Sequence, residues 1–231
     1  MEYIFRTLDN IHVLRIKDSQ NSKLGKGKML HTYHFSIDQV RFSNLKLDGS
    51  SCLDCPLSYT NSSEEGESGG CYTHKGFMGM GLRSMLKRLN KLWHKDEIEV
   101  YSAERMNSFL GAIEFLKPEL IRFGVYGEPV LLPIQVVQKL SHISPYTGYT
   151  HQWSKPEYQQ YRHFFMASTH NQFEVAIAND MGWRTFNVGI LDDAVNCPAS
   201  KESGKKTTCV SCKLCNGSNG NSKKNIYINP H

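Results

Sequence analysis

Apolar and polar residues recur along this chain with two periods. Over 80–95, Leu82, Met85, Leu86, Leu89, Leu92 and Trp93 return at helical spacing while Arg83, Lys87, Lys91 and Lys95 stand four apart on another side. That pattern predicts an amphipathic helix with a basic stripe. Further helices are predicted over 107–116, capped by Asn107 or Ser108; over 132–143, with Pro133 in the first turn; and from the capping box of Asn171 and Glu174 to Gly182. Alternating or β-rich runs predict strands at 41–47, 97–103, 119–126, 147–153, 164–168, 184–190 and 225–229. Residues 1–40 read as a polar, mixed N-terminal extension with a loop at 21–28, and 56–70 as a polar loop rich in Gly and Ser.

Strands separated by helices of about ten residues indicate βαβ units and a parallel sheet. The expectation is an α/β fold: a single compact (β/α) barrel-like domain over 41–231, carrying a Cys-rich metal-binding segment at 197–231. An open doubly wound sheet is the alternative. Both collect function where loops leave the C-terminal ends of strands. Four such ends are polar: Glu128 after a Gly and before Pro129; His151, Gln152 and Trp153; Ser168 and His170; Asp192 and Asp193. Glu128 or Asp192 is the candidate nucleophile or base, His151 the proton shuttle, Gln152 the reader of a base edge and Trp153 a stacking wall, with Ser168 and His170 beside them.

Composition narrows the class. At 231 residues, 39% hydrophobic and 21% charged, the chain is expected to be globular, and disorder, collagen and a coiled coil are excluded. No window approaches a membrane span, and the first 18 residues lack a cleavable apolar core. A cytoplasmic location is expected, the host cytoplasm for a phage-encoded chain, with no membrane partner. The net charge of +5 lies in 197–231, where six lysines, Lys205 and Lys206 among them, face one acid, Glu202. With the stripe of Arg83, Lys87, Lys91 and Lys95, this basic tail implies a nucleic acid partner, DNA before RNA.

The cysteines change the picture most. In a reducing compartment the seven are ligands rather than disulfides. Cys209, Cys212 and Cys215 stand at C-x2-C-x2-C spacing, with Cys197 or His231 as a fourth ligand, which predicts a closed zinc site; an iron–sulfur cluster is the alternative. Cys52, Cys55 and Cys71, near Asp54 and His74, form a second candidate metal site, where three protein ligands on a cluster would leave one iron open. No P-loop, HExxH or GxSxG frame is present.

In the order CLDCP, CYTHKG, RFGVYGEPVLLP, TGYTHQW, GWRTF, CPAS and CVSCKLCNG, ending in His, residues 50–231 resemble a group of uncharacterised phage and mobile-element proteins. More distantly, the late three-Cys, one-His order is similar to that of the tRNA-guanine transglycosylases and their phage relatives that place 7-deazaguanines into DNA. That resemblance implies a (β/α) barrel, a zinc site at Cys209, Cys212, Cys215 and His231, and base exchange through Asp192 or Glu128. An iron–sulfur, radical-type enzyme of nucleotide metabolism built on Cys52, Cys55 and Cys71 is the alternative activity, and a non-enzymatic zinc module that binds nucleic acid is the third.

Overall fold

The computed structural model describes residues 1–62, 71–220 and 223–229. The chain opens with a three-stranded meander, β1 (Glu2–Arg6), β2 (Asn10–Ser19) and β3 (Gly27–Ser36), followed by α1 (Ile37–Phe42), α2 (Gly49–Cys52) and the long α3 (Gly76–His94). Then come β4 (Glu99–Val100), α4 (Ala103–Leu116), β5 (Leu120–Tyr126), α5 (Ile134–Ile143), β6 (Tyr146–Thr147) and β7 (Tyr149–Thr150). After two 3-10 turns follow β8 (Met166–Thr169), α6 (Gln172–Asp180), β9 (Thr185–Val188), β10 (Val195–Asn196), α7 (Cys209–Cys212) and β11 (Ile226–Ile228).

The strands form a six-stranded sheet, β4-β1-β2-β3-β5-β6, and a five-stranded one, β10-β11-β9-β8-β7. Only Gly148 separates β6 from β7, so one short stretch of chain edges both sheets. A Cβ there would lie 2.5 Å from the Phe165 ring, so the close approach requires Gly. The pairs β3–β5, β5–β6, β7–β8, β8–β9, β9–β11 and β11–β10 are parallel, and β1–β2 and β2–β3 antiparallel. The fold is mixed α/β.

Residues 1–40 are therefore not an extension. They supply the β1–β3 meander and part of both faces of the core. Alternation is hidden there because β3 is buried on both sides: Leu30, Thr32 and His34 on one, Met29, His31, Tyr33 and Phe35 on the other. The expected strand at 41–47 is replaced by α1 and a turn. Ser36 and Gln39 form a reciprocal capping box that starts the helix, and Ser43, in the left-handed region at φ 50°, ends it. The cap of α4 is Ser102 rather than Asn107 or Ser108, and Pro133 precedes α5 as its cap. Strand 147–153 shrinks to β6 and β7, and Gln152–Ser154 turns as 3-10 helix.

Two clusters pack on opposite faces of the large sheet. Leu14, Leu30, Ile121 and Phe123 meet Met106, Phe109 and Ile113 of α4 and Val136, Val137 and Leu140 of α5. Val13, Tyr33, Phe35 and Val125 meet Leu82, Met85, Leu86 and Leu89 of α3. On the second sheet, Met166, Ile226 and Ile228 pack against Cys197, Ala199 and Cys215. The cations Arg83, Lys87, Lys91 and Lys95 are exposed on α3, as the pattern predicts.

Candidate metal centre at the strand ends

The turn after β5 builds the site. Gly127 has φ 75°, and a Cβ on it would lie 2.3 Å from the His34 carbonyl oxygen and 3.0 Å from that of Ser51. Only Gly lets the strand end approach α2 so closely. The next residue, Glu128, donates its N–H to the Ser51 carbonyl at 2.8 Å, which fixes it one residue from Cys52.

Glu128 is buried, and its oxygens are engaged. Oε2 accepts from Thr150 Oγ1 at 2.5 Å; Oε1 faces His151 Nδ1 at 3.1 Å and the His151 N–H at 3.2 Å. Burial works against a charge on His151, but hydrogen bonds with Cys55 and Glu128, and the charge of Glu128, outweigh it and raise the imidazole pKa to about 10. His170, beyond β8, stacks on His151 with Nε2 to Nε2 at 3.4 Å. Burial, and then the neighbouring His151, lower the His170 pKa. The two near-parallel rings thus meet Nε2 to Nε2, placed to pass a proton.

Cys55 completes a group with Glu128 and His151 in which one donor atom from each lies within 4.8 Å of the others. Sulfur, carboxylate oxygen and imidazole nitrogen are a donor set that fits zinc or iron. Cys52 and Cys71 adjoin it. Burial, then Asp48 and Cys55, raise the pKa of the Cys52 thiol; burial raises that of Cys71, against a 2.9 Å contact with Thr73 Oγ1. Their loop is pinned by Asp48, fully buried, which accepts from the N–H groups of Tyr59 and Thr60 and the Thr60 hydroxyl. His74 stacks on Tyr59 at 4.3 Å, is buried, and has no hydrogen-bond partner for either ring nitrogen among the described residues.

The second cysteine group lies on the second sheet. Cys197, Cys209, Cys212 and Cys215 line one cavity of about 40 Å³ with Lys23, Thr147, Tyr149 and Phe186. Cys197 is thus the cysteine that joins the CxxCxxC run; His231 lies outside the described residues. Burial pushes Cys215 up to about 12, a Tyr149 hydrogen bond opposing and the other three thiols reinforcing it. Such thiols ionise together only around a cation. Arg184, 4% exposed, ties the segment down by donating to the carbonyls of Leu214, Gly217 and Lys224.

Other expected site residues fall elsewhere. Trp153 is buried in the core, its Nε1 donating to the Ser168 carbonyl, so it is no open stacking wall. Ser168 is buried beneath it. Gln152 is buried next to Thr150, its Nε2 unpartnered among the described residues. Asp192 and Asp193 are exposed on the loop after β9, and Lys205 and Lys206 are exposed in the tail. Sequence reasoning missed Asp48, Thr150, Tyr149 and Arg184. Only Asp48 carried a signal, as a lone acid just before the first Cys pair.

No helix among the described residues is long and apolar enough to cross a membrane. Comparison of the chain with family models, with curated proteins and with solved structures finds no match.

Proposed function

We propose that the chain is an iron–sulfur enzyme whose reactive centre is held by Cys52, Cys55 and Cys71. The observation that carries this reading is the gathering of three thiols beside the Glu128–His151 pair at the C-terminal ends of parallel strands. Spacing supports a cluster over one zinc ion. Tetrahedral zinc holds sulfurs about 3.8 Å apart, from bonds of roughly 2.3 Å. Among the described residues, three sulfurs of neither cysteine group share the 4.8 Å separation that Cys55, Glu128 and His151 meet. A polynuclear cluster, with several irons between its thiolates, accepts the wider set. The same reasoning assigns a second cluster to Cys197, Cys209, Cys212 and Cys215.

A cluster bound by three thiolates supplies one-electron chemistry and an iron open to an exogenous ligand. Around it the chain's own residues have distinct work. Glu128 orients His151 through Nδ1, and His151 presents Nε2 to His170, so a proton can be held or moved at that atom. Base exchange through a carboxylate is less well supported: Glu128 has both oxygens engaged, and Asp192 is exposed on the loop after β9. The exposed α3 stripe supports a nucleic acid contact as a separate, peripheral reading, tested by the salt dependence of DNA binding.

The test is the paramagnetic spectrum of anaerobically reconstituted, reduced protein. A cluster signal that changes in Cys55→Ala is expected. A diamagnetic protein containing zinc alone would contradict the reading.

A further inference from the structure

On the face of the large sheet that carries α3, one row of residues runs straight across five strands. Backbone pairing sets Glu2 of β1 opposite Arg15 of β2, Arg15 opposite His31 of β3, His31 opposite Arg122 of β5, and Arg122 opposite Thr147 of β6. Directly paired residues share a face, so these side chains stand side by side. Lys17, two residues from Arg15, joins them on the same side.

The row has too much positive charge for its partners. Glu2 is the acid in it, and it is committed to Arg88 of α3 by two bonds of 2.6 and 2.8 Å, leaving Arg15 at 4.0 Å. Arg122 is half-buried and makes no side-chain hydrogen bond or ion pair among the described residues. His31 is 3% exposed, and its Nε2 has no partner among the described residues. Its Nδ1 meets Tyr33 Oη at 3.2 Å. With the tyrosine donating, the hydrogen of the neutral ring sits on Nε2, and a buried donor is left without an acceptor. Burial first, and then Arg122, Lys17 and Arg15, lower the His31 pKa to about 3. Crowded cations and an orphaned donor ask for an anion.

We propose that Arg15, Lys17, His31 and Arg122 form a binding site for the phosphate of a small phosphorylated ligand. The arginines of β2 and β5 flank His31 on β3, each strand about 5 Å from the next, so two long side chains and a ring N–H are within reach of one dianion. A polymer backbone would need cations spread along a track instead. The row is distinct from the Glu128–His151 centre. Arg122 lies four residues before the end of β5, roughly 13 Å along the strand from it. It borders the other cysteine group, since Thr147 and Lys23 line that cavity. The assignment does not depend on which metal the cysteines hold.

The experiment is calorimetric titration of the full chain with inorganic phosphate, adenosine monophosphate, adenosine and a single-stranded oligonucleotide, at fixed ionic strength, on metal-free and on iron-loaded protein. Phosphate and the monophosphate should compete, and adenosine should bind at least about tenfold more weakly than its monophosphate, the loss of charge-assisted hydrogen bonds. Arg15→Gln and Arg122→Gln should each weaken the monophosphate by about tenfold or more. Arg15 is half exposed, so its variant keeps the fold even if Arg122→Gln does not. Equal binding of adenosine and its monophosphate, unchanged affinity in Arg15→Gln, or tighter binding of the oligonucleotide would overturn the site. So would loss of quartet metal in Arg122→Gln with phosphate affinity intact, because the arginine would then be the thiolates' counter-charge. Phosphate binding to a protein that never takes up iron would leave this site standing while the iron–sulfur reading falls.

Discussion

His151 Nδ1 stands 3.1 Å from Glu128 Oε1, and the same carboxylate oxygen accepts the backbone N–H of His151. The carboxylate therefore fixes the position of the ring and, together with the Cys55 thiol, holds its pKa up. In the metal-free chain, Glu128→Gln should move the His151 titration from about 10 down by more than one unit. The sign for stability follows: a raised pKa contributes fully below about pH 6.5 and is lost as the pH rises through about 10. Nitrogen NMR of the ring reads the shift, and an unchanged midpoint would contradict the pairing.

Gly127→Ala tests how the cysteine loop is docked. The left-handed backbone alone costs about 1–2 kcal/mol for a residue with a Cβ. The 2.3 Å approach to the His34 carbonyl adds to it and forces the strand end from α2. We expect a lower unfolding midpoint together with loss of metal at Cys52, Cys55 and Cys71. A variant with wild-type stability and metal content would show that the turn is not needed.

Buried neutral histidines predict acid sensitivity. His12 Nδ1 and His34 Nδ1 meet at 2.9 Å inside the core, flanked by Thr7 and Thr32. Burial lowers His12 and His31 to about 3, and places His34 well below its ordinary value. The unfolded chain takes up these protons near pH 6.5 while the folded chain does not, so stability is complete above about pH 6.5 and falls as the pH drops towards 3. Each group contributes a slope of about 1.4 kcal/mol per pH unit. Urea midpoints between pH 8 and pH 4 measure it. The expected decline is steeper in wild type than in His12→Asn, and a flat profile would contradict burial in the neutral form.

Arg184→Met leaves the carbonyls of Leu214, Gly217 and Lys224 without their donor. A charged donor shared among partly buried acceptors makes this worth about 2–3 kcal/mol. Metal should be lost from Cys197, Cys209, Cys212 and Cys215 but kept by the other group. Equal loss from both groups would show that the two centres are coupled.

The parts of this structure legible in the sequence are those whose signals are local. The α3 stripe, the Asn171–Glu174 box, the Gly-lifted Glu128 and the CxxCxxC run each depend on neighbours within a few positions. The β1–β3 meander was illegible because His12, His31 and His34 read as polar although they are buried and neutral, which erases the alternation of two-sided strands. Trp153 is hidden for the opposite reason: a strand-end aromatic beside polar residues is turned inward by the 3-10 turn at Gln152–Ser154. Glu128 follows β5 of the large sheet and His151 follows β7 of the second, so their pairing depends on how the two sheets meet and not on neighbours in the chain.

The central claim is that two cysteine groups hold clusters. Iron, zinc and acid-labile sulfide should be counted in anaerobically reconstituted wild type, in Cys52→Ala/Cys55→Ala/Cys71→Ala and in Cys209→Ala/Cys212→Ala/Cys215→Ala. The account predicts iron and sulfide in equal amounts, with each triple variant losing its own share and retaining the other. Zinc without sulfide in wild type, or iron unchanged in the Cys52, Cys55 and Cys71 variant, would contradict it.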